Sequence, residues 1–405
     1  MKTKVIIIGG GPAGLMAANE LEKANIPYLL LEKNEKCGKK LLITGGKRCN
    51  VTNHLPLKTF IDTLTFKHKR FLYPALTAFG PQDVLRFFSE HNLEFILENH
   101  FKYFPETEKS ASVLEAMIES LNPDSIKYKE SVKTIHPTDD GYEVITKEHT
   151  YEASYVIVAT GSNSYPGTGS SGDGLVFAKH LNIPYIDFTP AETHVYSDQI
   201  KSSFLTLKGV SLSQVVVHLP QLKIKHQGDL LFTHFGLSGP VIMHLSEFIY
   251  EDIVKHGQSI VDIHVLPFHE DELFQILLKE KTQKIHKVLE SYTTKRLVEV
   301  ILDYLDIPSK KMMEMKHKDI RRVAQTMTRF SISVDRVEVT EKAYVNKGGI
   351  DTKALNPHTF ETKAYPGLYF IGETTDLHGP IGGYNITIAM SGGVASTHHI
   401  MSKEQ

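Results

Sequence analysis

Three glycines and one carboxylate near the N-terminus have the types and the spacing that bind a dinucleotide. They are Gly9, Gly11, Gly14 and Glu32, and the carboxylate follows the last glycine by eighteen residues. The first glycine permits a tight turn, the second lets the backbone approach a pyrophosphate, and the third lets a helix pack closely on a sheet. The carboxylate can accept hydrogen bonds from both hydroxyls of an adenosine ribose and would repel a 2′-phosphate. The pattern therefore predicts a site for an adenine dinucleotide without that phosphate.

The elements that must position these residues form a βαβ unit. Apolar runs predict strands at 5–8 and 28–31, and apolar residues at helical spacing predict a helix over 15–24. The N-terminus of that helix would offer free N–H groups and a positive dipole end to phosphates. Five features follow one another at the spacing of this motif: a strand, a glycine turn, a helix, a second strand and a terminal acid. A ligand site is therefore favoured over a glycine-rich turn that only packs against its neighbours.

A second glycine-rich segment, residues 44–50, carries a cation and an amide, Arg48 and Asn50. Such a loop suits closing over a pyrophosphate, with the guanidinium as a charge-assisted donor and the amide as a neutral donor. The alternative is a surface loop whose lysines are simply solvated. Arg48 and Asn50 are predicted to contact the ligand, and Lys40 just before the loop is included among the predicted contacts.

A third signal is a buried-strand pattern at 156–158 that ends in Ala-Thr-Gly. In flavoproteins such a strand runs back toward the cofactor. The contacts predicted at its end are Ala159, Thr160 and Gly161. A second G-x-G-x-x-G follows at 167–172, but no strand directly precedes it and no strand with a terminal acid follows it. We interpret it as a loop that leads into a helix over 175–181, and not as a nicotinamide site.

A fourth signal lies near the C-terminus, where a strand at 368–371 precedes Gly372 and Glu373. The Glu373 carboxylate can bond ribityl hydroxyls. A helix predicted from about Asn385 begins after Gly383, and its N-terminus can face the flavin N1 and C2 carbonyl, where reduced flavin holds negative charge. Alone, this segment would be an ordinary strand-turn-helix with packing glycines. Together with the N-terminal fingerprint it favours a flavin.

At this point the chain resembles a known family. The segments GGKRCNVTN, ATGSNSYPGTGSSGDG, LFTHFGLSGP and GLYFIGETTDLHGPIGGYN are similar to those of the HI0933-like NAD(P)/FAD-dependent oxidoreductases, of the YhiN and BaiN type. The resemblance covers nearly the whole chain and implies FAD in a two-part Rossmann-type domain with inserted segments. The chain departs from the family pattern at Lys47 and Ser162, where family members usually have glycine. Some members are similar to enzymes that reduce unsaturated bile-acid intermediates, but the resemblance does not assign that activity to this chain.

The resemblance also implies a set of FAD contacts. They are Gly9, Gly11, Pro12, Ala13, Gly14, Glu32, Lys33, Arg48, Asn50, Gly161, Gly372, Glu373, Gly383, Tyr384, Asn385 and Ile386. In flavoproteins the strand equivalent to 131–134 often meets adenine through its backbone, which adds Val132.

Composition indicates a soluble globular protein with more than one domain. The chain has 405 residues and a net charge of −2, which argues against nucleic acid as the main partner. No apolar run approaches the roughly twenty residues of a membrane helix, and no leader pattern precedes the first strand. The two cysteines, Cys37 and Cys49, cannot form a disulfide framework, so a reducing cytoplasm is expected.

The expected fold class is α/β, a Rossmann-type FAD-binding domain with an inserted small β-barrel-like domain and a helical insert. The FAD-binding domain is predicted to be discontinuous, comprising 1–190 and 335–405. Alternating apolar residues place the β-rich insert at 191–268, and leucines at helical spacing place the helical insert at 269–334.

The expected function is hydride transfer between flavin and a small unsaturated or conjugated substrate, with NAD(P)H as a transient electron donor. Flavin supplies the hydride chemistry, so the protein must position the substrate and supply protons. The sequence singles out no catalytic residue, and the weak candidates are His234, His378 and Tyr165. No cluster has metal-ligand spacing. Two alternatives stay open: a flavin-dependent RNA-modifying enzyme, and a non-catalytic redox sensor that acts through a cysteine.

Overall fold

The protein is described by a computed structural model that covers residues 1–98 and 101–404. The chain divides into two compact units. The first unit comprises Met1–Thr189 and Thr340–Gln405, and the second comprises Pro190–Val339.

The first unit is built on a seven-stranded sheet. Its central strand, Lys2–Ile8, lies between the parallel strands Tyr28–Glu32 and Thr150–Val158. The last four residues of the central strand are buried, as expected for a parallel strand covered on both faces. The other strands are Ile126–Tyr128, Gly141–Ile145, Thr134–Thr138 and Leu368–Phe370. The last of these joins the sheet parallel to Thr150–Val158, which brings the C-terminal part of the chain beside the N-terminal βαβ unit.

Two long helices complete this arrangement. Pro12–Lys23 follows the first strand, and Tyr384–Glu404 packs against it through Gly393. A Cβ at Gly393 would lie 2.7 Å from the backbone oxygen of Ala13, so only glycine allows the two helices to approach this closely. This packing sets the start of the C-terminal helix beside the glycine turn.

The remaining elements of the first unit are shorter. Its other helices are Lys39–Ile43, Leu57–Thr63, Tyr73–Ala78, Pro81–Glu90, Ser110–Ile118 and Asp173–His180. A three-stranded sheet contains Thr52–Asn53, Lys102–Pro105 and Phe95–Glu98, and a two-stranded sheet pairs Tyr185–Glu192 with Val345–Ile350.

The second unit holds an antiparallel seven-stranded sheet. In order across the sheet its strands are Phe330–Val334, Ser259–His264, Ser211–Leu219, Ile224–Phe232, Gly236–Ser238, Val195–Tyr196 and Arg336–Val337. The first and last of these are consecutive in the chain, so one bent segment joins both ends of the sheet. The insert is therefore rich in strands, as the sequence predicts, and its closure into a barrel stays a prediction.

Helices cover the rest of the second unit. They are Asp198–Ser203, Pro240–His256, Glu270–Lys279, Ile285–Glu290, Lys295–Tyr304 and His317–Thr328. One hydrophobic cluster contains the strand residues Val261 and Phe330 together with the helix residues Leu273, Leu297 and Val323. The expected division at residue 268 into a β-rich and a helical insert is wrong, because the helix Pro240–His256 precedes that residue and the strand Phe330–Val334 follows it. Strands and helices of this unit share one core.

Candidate cofactor site

A cleft in the first unit is lined by segments from both ends of the chain. The N-terminal strand and turn form one side, and the strand end at 159–161 lies next to them. The start of the C-terminal helix supplies Asn385 and Ile386. The predicted contacts that line the cleft are Gly9, Gly11, Pro12, Ala13, Glu32, Lys33, Lys40, Val132, Ala159, Thr160, Gly161, Glu373, Asn385 and Ile386.

The glycine turn has the backbone freedom and the open approach that a pyrophosphate needs. Gly9 has a φ of +108°, and a Cβ there would lie 2.5 Å from the backbone oxygen of Ala159. A Cβ on Gly11 would meet no heavy atom within 4 Å, so this residue borders open space. Gly11 also precedes the helix Pro12–Lys23 without a side-chain cap. The first N–H groups of that helix are therefore available to an anion.

Gly14 has a different role. A Cβ there would lie 2.0 Å from the backbone oxygen of Gly9, and Gly14 does not line the cleft. Its small size lets the helix pack against the turn, which is the role the sequence assigned to the third glycine.

The Glu32 carboxylate is fixed at the end of the second strand. The side chain is buried, with 7% of the residue exposed. Its Oε2 accepts a hydrogen bond from the backbone N–H of Gly10 at 2.9 Å, and its Oε1 accepts from the backbone and side-chain nitrogens of Asn34, both at 2.8 Å. Asn34 also donates to the Thr168 carbonyl at 3.1 Å. Because these donors hold both oxygens, the carboxylate is oriented before any ligand arrives.

Asn34 is a residue that the sequence analysis missed. The sequence contained one indication of this role. Asn34 lies two residues after Glu32, and from that position its side-chain amide can form a local hydrogen bond to the carboxylate.

Two ion pairs join distant parts of the chain along the cleft. Lys40 Nζ lies 2.7 Å from Glu373 Oε2, and Ser162 donates to the same oxygen at 3.2 Å. Lys33 Nζ lies 2.6 Å from Asp173 Oδ2. Each pair places an ammonium group beside the cleft together with the carboxylate that neutralises it, so a diphosphate could use only the ammonium hydrogens that the carboxylate does not accept. Ser162, which departs from the family pattern, thus contacts a predicted ribityl-binding carboxylate.

The start of the C-terminal helix is held by the segment 50–53. A Cβ on Gly383 would lie 2.4 Å from the backbone carbon of Thr52, and Gly383 has a φ of +83°. The side-chain amide of Asn53 donates to the Gly382 carbonyl at 3.2 Å. Asn385 exchanges two hydrogen bonds of 2.8 Å with the backbone of Gly379. These contacts fix the approach to the helix Tyr384–Glu404.

Six predicted contacts do not line the cleft: Gly14, Arg48, Asn50, Gly372, Gly383 and Tyr384. Arg48 forms ion pairs with Glu98 and, at 3.1 Å, with Glu108, and its guanidinium lies 4.3 Å from the centre of the Phe104 ring. Two carboxylates therefore occupy the donors that were expected to face a pyrophosphate. Asn50 is buried, and its Oδ1 has no hydrogen-bond partner within residues 1–98 and 101–404.

The weak catalytic candidates fall in separate places. His378 is 3% exposed, and its ring centre lies 5.2 Å from that of Phe66. Tyr165 has a φ of +55°, and its backbone N–H donates to Glu341 at 2.9 Å. His234 belongs to the second unit and is exposed.

The structure adds a histidine that sequence reasoning missed. His68 Nε2 donates to the backbone oxygen of Asp376 at 2.8 Å and lies 3.3 Å from its buried carboxylate. The His68 ring also packs 4.9 Å from Phe66, which contacts His378 as well. The sequence offered one indication of this cluster, because Asp376 follows the predicted ligand contact Glu373 by only three residues. The segments around 66–68 and 376–378 thus gather two imidazoles on one phenyl ring.

Both cysteines are free and buried. Burial raises the pKa of each thiol, Cys37 and Cys49, to about 12, with the Glu32 charge adding to the effect at Cys37. The reactive form of a cysteine is the thiolate, so these thiols are poor nucleophiles at neutral pH. Their environment weighs against the redox-sensor alternative.

Two further features bear on the site. In the part of the chain that the structure describes, no group of three or more His, Cys, Asp or Glu side chains could hold a metal ion. No helix over residues 1–98 and 101–404 is long and apolar enough to cross a membrane.

Comparison with known proteins gives one family. A family model described as the HI0933-like protein Rossmann domain matches residues 3–399. Two relatives are named ribosomal RNA dihydrouridine synthase. The one from Escherichia coli strain K12 is 26% identical, and the match covers 98% of each chain. The one from Haemophilus influenzae is 28% identical, and the match covers 96% of each chain.

A third relative is the 3-dehydro-bile acid delta(4,6)-reductase of Clostridium scindens, which is 26% identical over 96% of this chain and 97% of its own. Among solved structures, the 3-ketosteroid delta1-dehydrogenase of Sterolibacterium denitrificans, in complex with 1,4-androstadiene-3,17-dione, has a TM-score of 0.52. That likeness, at 12% identity, covers 99% of this chain and 100% of the other. It supports the fold alone.

Proposed function

The chain belongs to the HI0933-like family of flavin-dependent oxidoreductases, and on that basis we propose that it reduces a carbon–carbon double bond conjugated to a carbonyl group. The observation that carries the proposal is the cleft of the first unit. A nucleotide cradle, formed by Gly11 and Glu32, lies in the same cleft as the start of the helix Tyr384–Glu404. FAD needs both parts, because its adenosine and its ring system are at opposite ends of one molecule.

The names of the relatives support a shared reaction class. Making dihydrouridine from uridine saturates a ring double bond that is conjugated to a carbonyl. A 3-dehydro bile acid with 4,6 double bonds presents an alkene conjugated to a ketone. In both, hydride adds to the carbon remote from the carbonyl and a proton adds to the carbon beside it. This chemistry fits the expected small unsaturated or conjugated substrate.

The residues of the cleft divide the binding of FAD between them. The backbone N–H groups of Gly11 and Ala13 would bind the diphosphate, since those of Gly9 and Gly10 already donate within the protein. The Lys40 ammonium would donate through the hydrogens that Glu373 does not accept. Glu32 would accept hydrogen bonds from the adenosine ribose, and Glu373 from the ribityl chain. The start of the helix Tyr384–Glu404 would direct its positive end at the flavin ring. When bound, FAD supplies the hydride.

The chain's own task in the reaction is to hold the substrate and deliver a proton. His378 and His68 both contact Phe66, and His68 is fixed through Nε2 by Asp376. We propose that one of these imidazoles, neither of which lines the cleft, donates the proton to the carbon beside the carbonyl. His378→Gln and His68→Gln should lower the rate of substrate reduction while the rate of flavin reduction stays unchanged. If both variants leave the rate of substrate reduction unchanged relative to the rate of flavin reduction, these histidines have no role in proton delivery.

One experiment tests both the cofactor and the electron donor. The purified protein should be yellow and release FAD on denaturation. Anaerobic mixing with NADH and with NADPH, in separate syringes, should bleach the flavin with at least one of them, and adding a conjugated enone should restore the colour. A released ligand without adenosine would refute the FAD assignment. If neither nucleotide bleaches the flavin, the nicotinamide donor is excluded.

A second candidate function is the reduction of uridine in ribosomal RNA. It is favoured by two relatives of that name, each matched over nearly its whole length. The net charge of −2 argues against nucleic acid as a partner of the chain as a whole, but it does not describe local surfaces. Incubating the reduced holoenzyme with ribosomal RNA from a strain that lacks this protein, followed by nucleoside mass spectrometry, should reveal dihydrouridine. Turnover of enones without any dihydrouridine would leave the small-molecule function alone.

A further inference from the structure

Two segments of the second unit come together and place lysines opposite each other. They are separated in sequence by the helices Ile285–Glu290 and Lys295–Tyr304 and form an antiparallel bridge between Lys284 and Lys311. The flanking backbone bonds run from Ile285 N–H to the Lys310 carbonyl at 3.1 Å and from Met312 N–H to the Gln283 carbonyl at 3.0 Å. In this pattern the bridging residues form a non-hydrogen-bonded pair, the arrangement that brings opposite side chains closest.

Four more lysines lie close to the bridge in sequence. We define the lysine patch as Lys281, Lys284, Lys310, Lys311, Lys316 and Lys318. All six are exposed, and none has a carboxylate within 4.0 Å in the part of the chain that the structure describes. Residues 279–322 contain twelve Lys or Arg and seven Asp or Glu, whereas the whole chain has a small excess of acids. The patch is therefore a local surplus of positive charge on a nearly neutral protein.

Folding alone does not favour this arrangement. Like charges directly opposite each other on paired strands are destabilising, and Lys284 faces Lys311 without a counterion. Lys316 is the N-cap residue of the helix His317–Thr328, and Lys318 lies in its first turn. Cations are unfavourable at that end of a helix, where Ser, Thr, Asp or Asn usually caps the free N–H groups. Two independent unfavourable placements in one patch suggest that its charge serves an external anion.

We propose that the lysine patch binds the phosphate backbone of RNA, an inference that rests on the second candidate function above. A reductase of small molecules has no need for an extended cationic surface outside its cleft. A ribosomal RNA substrate would need one, because phosphate contacts supply most of the sequence-independent affinity and fix the register of the nucleic acid. The lysines come from two chain segments, so they can contact more than one phosphate.

The patch is tested by measuring how tightly the FAD-loaded protein binds protein-free ribosomal RNA at several salt concentrations. The variant is Lys284→Gln with Lys311→Gln. The matched control is Lys208→Gln with Lys223→Gln, which removes the same charge from two exposed, unpaired lysines of the same unit. The patch variant should bind about tenfold more weakly near 0.1 M salt. The dependence of log K on log salt should become less steep by roughly two, about one for each lost phosphate contact. The control should bind as the unmodified protein does.

Three outcomes would overturn the proposal: no RNA binding by the unmodified protein, equal binding by the patch variant, or equal loss in the control. Patch-dependent binding to vesicles containing anionic lipid, without binding to RNA, would also overturn it and assign the surface to a membrane. The rate at which the same samples reduce a small enone is measured in parallel. A protein that reduces the enone but does not bind RNA shows that the patch proposal has failed while the reductase function stands. Activity on the enone should be the same in all three proteins, because neither pair of lysines lines the cleft.

Discussion

Lys40 Nζ and Glu373 Oε2 are 2.7 Å apart, although 333 positions separate these residues in the chain. Lys40 belongs to the short helix after the N-terminal βαβ unit, and Glu373 follows the strand Leu368–Phe370. Both side chains are about one-quarter exposed and both line the cleft. The pair shows that one site is assembled from the two ends of the chain.

Replacing Glu373 should affect the cofactor more than the fold. In Glu373→Gln we expect FAD to bind more weakly by about 1–3 kcal/mol, since the charged carboxylate that would accept from the ribityl chain becomes a neutral amide with one acceptor oxygen. The free energy of unfolding of the apoprotein should change by less than about 1 kcal/mol, because a partly exposed ion pair contributes little. FAD titration by fluorescence and urea unfolding measure the two quantities. The control is Glu35→Gln, which breaks the exposed pair with Lys39.

The Glu32 carboxylate should set the affinity for the adenosine half. Glu32→Ala removes the acceptor expected for the ribose hydroxyls and leaves the N–H of Gly10 without its bond. We expect FAD retention to fall by about 1–3 kcal/mol. Isothermal titration of the apoprotein gives the value, with the exposed Glu148→Ala as control. Unchanged retention would remove Glu32 from the ribose site.

Two glycines of the same turn should respond differently to alanine. In Gly9→Ala the new Cβ meets the Ala159 oxygen and the φ of +108° is unfavourable, so the protein should lose stability and fold poorly. In Gly11→Ala the methyl group enters open space, so the apoprotein should fold normally but bind FAD weakly. Thermal unfolding with and without FAD distinguishes the two effects. Normal FAD affinity in Gly11→Ala would show that no phosphate approaches this backbone.

Lys47 has a φ of +74°, in the left-handed region that glycine adopts at least cost. Lys47→Gly should therefore raise the free energy of unfolding by up to about 1 kcal/mol, the difference between the strain of a left-handed residue and the entropy of glycine. Lys47→Val should lower it. Urea unfolding of the FAD-loaded protein checks the order of the three. Equal stability of the glycine and valine variants would mean that the loop relaxes at this residue.

The buried thiols lead to a pH dependence. Burial raises the pKa of the Cys37 and Cys49 thiols from the ordinary value of 9.0 to about 12 in the folded protein. A raised pKa means that the stability contribution is complete below about pH 9 and is lost as the pH rises toward 12. The free energy of unfolding should therefore fall across that window, and less so in Cys49→Ala. Alkylation at pH 8 should be slow until the protein is unfolded, and rapid alkylation of the native protein would contradict the burial.

The sequence by itself determined the class of the fold and predicted the nucleotide half of the candidate site. A tight turn, a close backbone approach and a packed helix each require glycine at a fixed spacing, so Gly9, Gly11 and Gly14 can be assigned from local geometry. The same local logic located the strands around them and the small residues that end the strand at 159–161. The family assignment, made from four separated motifs, was confirmed by a match over residues 3–399.

Only the tertiary structure decided which charged residues enter the cleft. Lys40 and Arg48 are close in sequence and both suit an anion, yet Lys40 lines the cleft while Arg48 pairs with Glu98 and Glu108. Those acids lie fifty and sixty positions further along the chain. The partner of a charge depends on which segments pack beside it, and this long-range packing is not encoded in the spacing of neighbouring residues.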